Sequence, residues 1–336
     1  MKKINIGMQN NLSNALYIAK AFAVVSIVLA HTSYESISSD YIKAFLSIYK
    51  LIGVYIFFII SGYFYNKDKY KNIWELLKDK AVKIGIPWIT FGTIIYGITL
   101  FLNNDMKISC IGYINHILGN GTYLYFLTML MLSYVLMYFI PKKQEYILIA
   151  VNIVSILLTS LGVLPQVVNT TKLAFCYFNP YLNVMNWIGV FAIGVLIRRK
   201  NFLEIIKTFL KDKVILISIS YAIFFAILCL FKLNISYWNL LSLIIGVLSF
   251  VAVLSISLRL SNINWLVDIG KKSFFIYQIH ALFVSIFRNM FANSNVFAIL
   301  RAVVIVLTIY FIAILGQRIA RFIKLEKIYN MLLGIR

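Results

Sequence analysis

Runs of about 18–20 apolar residues recur along the whole chain, and nothing in the sequence constrains its fold more. A helix of that length rises about 27–30 Å, the thickness of a bilayer's hydrocarbon core. Strands of an outer-membrane barrel would alternate apolar and polar residues, whereas these runs are continuous. Ten segments are expected, at roughly 13–31, 45–65, 84–102, 122–140, 146–163, 181–197, 214–231, 239–258, 273–291 and 297–316. Composition agrees, with 62% apolar residues, only 13% charged and a mean hydropathy of +0.88. A soluble domain is nearer 45–50% apolar and 25% charged. The expectation is an all-α, polytopic integral membrane protein of about ten transmembrane helices.

Charge orients that expectation. A net charge of +21 would suit a nucleic-acid binder, but the basic residues cluster in short loops between apolar runs. With the amino terminus in the cytoplasm, 24 of the 32 Lys and Arg fall on inner segments, seven fall outside, and Lys20 lies within a span. The positive-inside rule therefore places both termini in the cytoplasm and excludes nucleic acid as a partner. The chain reads as one transmembrane domain over 1–336, with spans from about 13 to 316 and no separate soluble domain. Residues 317–336 are expected as a basic, amphipathic cytoplasmic tail. The first run is no cleaved signal, since it contains Lys20 and ends at His31 without a small-x-small site. Cys110, Cys176 and Cys229 lack metal-type spacing, and a Cys110–Cys176 bridge requires both to lie outside. The wealth of Lys, Ile and Asn suggests an AT-rich bacterial source and hence a cytoplasmic membrane.

Against this apolar background the polar residues within or beside spans stand out. Lys20 and His31 are eleven residues apart, about three turns and 16 Å of helix, so they share a face. Ionisable groups inside a membrane are costly and mark functional sites. Glu35, four residues after His31, could orient the imidazole if the helix continues, or stand as a solvated loop charge. Lys80 and Lys83 precede Ile84-Gly85-Ile86-Pro87-Trp88 and form a cationic patch at the inner mouth of the third span. Ordinary topological anchoring explains them; so does a clamp for an anionic substrate. The run Asp268-Ile-Gly-Lys-Lys-Ser-Phe-Phe-Ile-Tyr-Gln-Ile-His280 carries Tyr277 and His280 three apart, with Arg288 two turns further on. Such a helix should face a cavity and not lipid. In the second run, Gly53, Ser61 and Gly62 should let helices approach closely.

Together these stretches resemble the membrane-bound acyltransferase 3 family. Its first span has an Arg followed eleven residues later by a His, matched by Lys20 and His31. Its Phe-Phe-x-x-Ser-Gly-aromatic signature is matched by Phe57, Phe58, Ser61, Gly62 and Tyr63. Its pair of Arg three apart before a Pro is matched by Lys80, Lys83 and Pro87. Its Gly-Lys-x-Ser-aromatic-x-x-Tyr-x-x-His run is matched by Gly270, Lys271, Ser273, Phe274, Tyr277 and His280. A weaker match is Leu124-Tyr125-Phe126-Leu127 against the family's Trp-Phe. Two departures stand out: Lys replaces all three Arg, and Tyr17 replaces the acid usually found three residues before the first Arg. Lys at the first position is similar to the fucose 4-O-acetylase-like branch.

The resemblance implies a membrane O-acyltransferase that moves an acetyl or other short acyl group from cytoplasmic acyl-CoA to a hydroxyl of a cell-surface polysaccharide or lipid-linked saccharide. Acyl-CoA is then a substrate and no cofactor is permanently bound; the partners are acyl-CoA, a saccharide acceptor and membrane lipids. In this reading His31 is general base or transient acyl carrier, with Lys20 and Glu35 beside it. Tyr277, His280 or Arg288 steadies the oxyanion, and Lys80, Lys83 and Ser61 bind the donor. Two alternatives remain open: a transporter or flippase whose polar spans line a permeation path, and a catalytically silent family member.

Overall fold

The computed structural model describes residues 2–32, 39–102, 108–166, 179–287 and 295–334. Among the described residues the regular structure is helical and no strand occurs. Six stretches among the described residues are long and apolar enough to cross a membrane: Asn11–Thr32, Asp40–Phe64, Ile73–Leu102, Lys213–Leu230, Leu240–Arg259 and Leu300–Phe322. The first two lie in α1 (Lys2–Thr32) and α2 (Asp40–Phe64). The third joins α3 (Ile73–Lys80) to α4 (Ile86–Leu102), and α5 (Cys110–Leu118) follows. The other four expected segments fall on α6 (Tyr125–Phe139), α7 (Glu145–Ser160), α8 (Ile188–Arg199) and, after α9 (Phe202–Leu230) and α10 (Leu240–Arg259), α11 (Asn264–Phe287). The first three of these are short: 15, 16 and 12 residues. Helix α11 has 24 residues, but Lys271, Lys272, Gln278 and His280 dilute its apolar character. It also starts nine residues before the apolar run, because the pairing of Asp268 with Lys272 at i,i+4 lets both charges enter the helix.

The described chain forms two compact units. The first comprises Met1–Phe57, Arg198–Tyr237 and Leu241–Arg336. Here α1 packs along α11 and along α12 (Asn295–Phe322). The approach to α11 is backbone on backbone at Gly270, where an added Cβ would sit 1.9 Å from the Tyr17 carbonyl oxygen. Without a water-driven hydrophobic effect, such close van der Waals contact is what holds membrane helices together. Gly53 does the same between α2 and α1, against the Ala23 carbonyl and Ile27. The buried Ser26 completes that contact: its hydroxyl donates to the Tyr49 carbonyl at 2.6 Å and accepts from the Gly53 N–H at 3.2 Å.

The chain does not leave the first unit after residue 316. Helix α12 continues to Phe322, the backbone reverses at Lys324 (φ +61), and α13 (Glu326–Leu332) folds back. Gly316 receives the Tyr329 ring, Gln317 donates to Asn330 Oδ1 at 2.8 Å, and Gly334 lies against Phe274. Within the stretch expected as the basic, amphipathic tail, the described residues are thus the end of α12 and a short helix docked back on it.

The second unit comprises Phe58–Ile197 and Trp238–Leu240. Two glycines interlock α2 and α8: a Cβ on Gly62 would meet the Phe191 carbonyl oxygen at 2.0 Å, and one on Gly194 the Ile59 carbonyl oxygen at 2.0 Å. Trp187 fills the centre, stacked on Phe58, its indole N–H donating to the Tyr181 carbonyl at 3.1 Å. Two 3₁₀ turns, Pro180–Leu182 and Val184–Asn186, lead into α8, and side chains of α7 secure them. Ser155 donates to Asn186 Oδ1 at 2.7 Å and Asn152 to the Met185 carbonyl at 2.8 Å. Buried polar groups at membrane depth require such partners.

Candidate functional site

In the first unit, α1 and α11 bring together three of the residues singled out in the sequence. His31 closes α1 and is exposed, whereas His280 on α11 is completely buried. Their ring centroids are 5.1 Å apart with planes inclined by 48°. The Tyr277 ring lies 5.7 Å from that of His280, and Tyr277 is itself buried. His280 Nδ1 sits 2.5 Å from the Tyr277 carbonyl oxygen. A carbonyl only accepts, so Nδ1 carries the hydrogen and Nε2 the lone pair, a tautomer assigned from the bond. Glu35 and Arg288 lie outside the described residues.

Lys20 lies lower on α1. Its ammonium is 5.6 Å from the centroid of the Tyr17 ring, and Lys271 from α11 stands 5.7 Å from the same ring. Two cations thus meet the residue that replaces the family's acid, within cation–π range. Next to Lys271, the buried Lys272 pairs with Asp268 at 2.6 Å, and Tyr310 of α12 donates to the other carboxylate oxygen at 2.9 Å.

The remaining expected residues lie in the second unit. Asn72 caps α3 by accepting from the Glu75 N–H, and Glu75 reaches back to the Lys71 N–H at 2.8 Å, a near capping box. The α-helix gives way at Ala81–Gly85 to one π turn. Pro87 has no N–H for the Lys83 carbonyl and its ring would crowd it, and the wide turn accommodates both. Within this bend Asp79 binds both predicted lysines. Lys83 donates to Asp79 Oδ1, the Lys80 ammonium lies 3.4 Å from Oδ2, and the Tyr70 hydroxyl donates to Oδ2 at 2.8 Å. Lys80 is only 8% exposed, its ammonium 4.1 Å from the centroid of the Tyr134 ring. Ser61 is half-buried near the end of α2, and its carbonyl accepts from Tyr134 at 3.5 Å.

The lysine pair is therefore no bare cationic patch but a charge cluster built around one carboxylate. Asp79 was legible as the i,i+4 partner of Lys83. Tyr70 and Tyr134 were not, since they arrive from a turn and from another helix.

A family model described as an acyltransferase domain, that of the acyltransferase 3 family, matches residues 14–317, about nine-tenths of the 336-residue chain. The chain belongs to that family. No curated protein and no solved structure matches it.

Proposed function

We propose that this member of the acyltransferase family is a cytoplasmic-membrane O-acyltransferase of bacterial type. It would transfer an acetyl or other short acyl group from acyl-CoA to a hydroxyl of a cell-surface polysaccharide or lipid-linked saccharide. The pairing of His31 with His280 is the single observation that carries this reading. In the proposed step the acceptor oxygen attacks the thioester carbonyl while His31 takes the hydroxyl proton as general base. The Tyr277 hydroxyl donates to the developing oxyanion. Collapse breaks the carbon–sulfur bond, and the thiolate leaves with the proton that His31 held. The buried His280, with its lone pair on Nε2, is suited to accept from the protonated His31 and hold its ring in place. If His31 instead carries the acyl group, the same residues serve in two steps.

Lys80 and Lys83 hold the phosphates of acyl-CoA, with Ser61 lining the same donor site, and Lys20 adds positive charge along α1 toward His31. Glu35 would orient His31. Acyl-CoA acts as substrate, and lipids surround the ten expected spans with both termini on the cytoplasmic side.

The test is His31→Ala, with correct folding shown by monodisperse size-exclusion behaviour, in cells whose surface glycan is then analysed. Loss of O-acyl groups with unchanged polymer length and secretion is expected. Retained acylation would falsify the role of His31, and lost export with intact acylation would move the protein to the transporter class.

A further inference from the structure

We infer that Asp79 is the resident counter-anion of the donor site, and that an organic phosphate binds there by taking its place. This rests on the reading that Lys80 and Lys83 receive the donor. A lysine as buried as Lys80 cannot keep its charge without an anion close by, since the desolvation cost of an isolated ammonium is several kcal/mol. Asp79 supplies that anion: one oxygen takes Lys83, the other takes Lys80 and the Tyr70 hydroxyl. Two cations around one carboxylate leave a net positive charge, so the cluster attracts a second anion while its contacts are already occupied. A phosphate group, carrying more charge and three acceptor oxygens, can replace both lysine contacts at once.

The surroundings fit an exchange. The Tyr134 ring, 4.1 Å from the Lys80 ammonium, offers a neutral π face that steadies the lysine without competing for its hydrogens. The Tyr70 hydroxyl gives the carboxylate a partner that remains when the lysines are withdrawn. Asp79 thereby sets the threshold for entry. Ligands without phosphate cannot displace it, and phosphorylated ligands must outcompete it.

The experiment measures binding of CoA, of inorganic pyrophosphate and of pantetheine to the purified full-length protein in detergent. Asp79→Asn should bind CoA and pyrophosphate about tenfold more tightly, because a like charge is removed from the anion's path, and pantetheine unchanged. Unchanged or weaker binding of both anions by Asp79→Asn overturns the exchange. If Lys80→Ala/Lys83→Ala still abolishes CoA binding in that case, the donor reading survives alone. Tighter pyrophosphate binding with no binding of CoA supports the exchange and overturns the donor reading. No binding of either anion to any form overturns both. Should Asp79→Asn fail to fold, Tyr70→Phe decides: loosening the carboxylate should tighten pyrophosphate binding two- to threefold, and no change overturns the inference.

Discussion

Replacing Gly270 by Ala tests whether the backbone contact between α1 and α11 sets the histidine pair. Alanine is the better helix former by about 1 kcal/mol, so on propensity alone the change should stabilise α11. The packing term opposes it. The new Cβ would stand 1.9 Å from the Tyr17 carbonyl oxygen and 2.4 Å from its carbon, against an ordinary contact of 3.4 Å or more. The neighbours are backbone, so no side chain can swing away and the helices must part by roughly 1.5 Å. Overpacking of this kind costs about 1–3 kcal/mol, occasionally more, so the net effect is a loss of up to about 2 kcal/mol. Activity should suffer more than stability. His280 is ten residues further along α11, about 15 Å, and a rigid helix carries the displacement to it. A misplacement near 1 Å at reacting groups lowers the rate by about 10²-fold. The assay pairs thermal unfolding of the purified protein with initial rates of acyl transfer. Gly97→Ala is the control, because no atom lies within 4 Å of its added Cβ and only the propensity gain remains. Native rate and native melting in Gly270→Ala would refute the reasoning.

Three further outcomes are expected. His280→Phe keeps a buried ring of similar size and removes the group proposed to hold His31 in place. It should lower kcat by about 10²–10⁴-fold with the KM for acyl-CoA little changed, and an unchanged kcat would remove His280 from the site. Trp187→Ala empties the centre of the second unit and should cost about 3–5 kcal/mol in a thermal or denaturant melt. Asp268→Asn leaves Lys272 buried without its carboxylate. It should destabilise by about 3 kcal/mol, and Asp268→Asn/Lys272→Met should recover most of that loss in the same melt.

Helical character, the family and the polar residues of α1 and α11 were legible because each is a local property of the sequence. An apolar run declares a span by its length, and a polar residue within it declares a site by its cost. The pairing of His31 with His280 was not readable, since 249 positions separate them and only the register at Gly270 and Tyr17 brings them together. The roles of Gly53 and Gly62 in close packing were anticipated from composition; their partners Ala23, Ile27 and Phe191 were not. The start of α11 was misplaced for a different reason. Hydropathy sees Asp268 and Lys272 as two separate charges, whereas the helix sees one neutralised pair. The shortness of α6, α7 and α8 escaped because turns such as Pro180–Leu182 are themselves apolar.

The departures from the family pattern become coherent once their neighbours are known. An Arg paired with an acid three residues earlier exploits a planar fork matched to a carboxylate. Here Tyr17 stands at the acid's position, and its ring holds Lys20 and Lys271 within cation–π range in place of a carboxylate. At the second pair the carboxylate is present, but three donors share it: Lys80, Lys83 and the Tyr70 hydroxyl. Each ammonium needs only one oxygen of Asp79, and Oδ2 accepts from the Tyr70 hydroxyl as well. Lysine thus keeps the positive charge at all three positions, with the Tyr17 ring beside Lys20 and the Asp79 carboxylate beside Lys80 and Lys83. The substitutions therefore give no reason by themselves to regard this protein as catalytically silent.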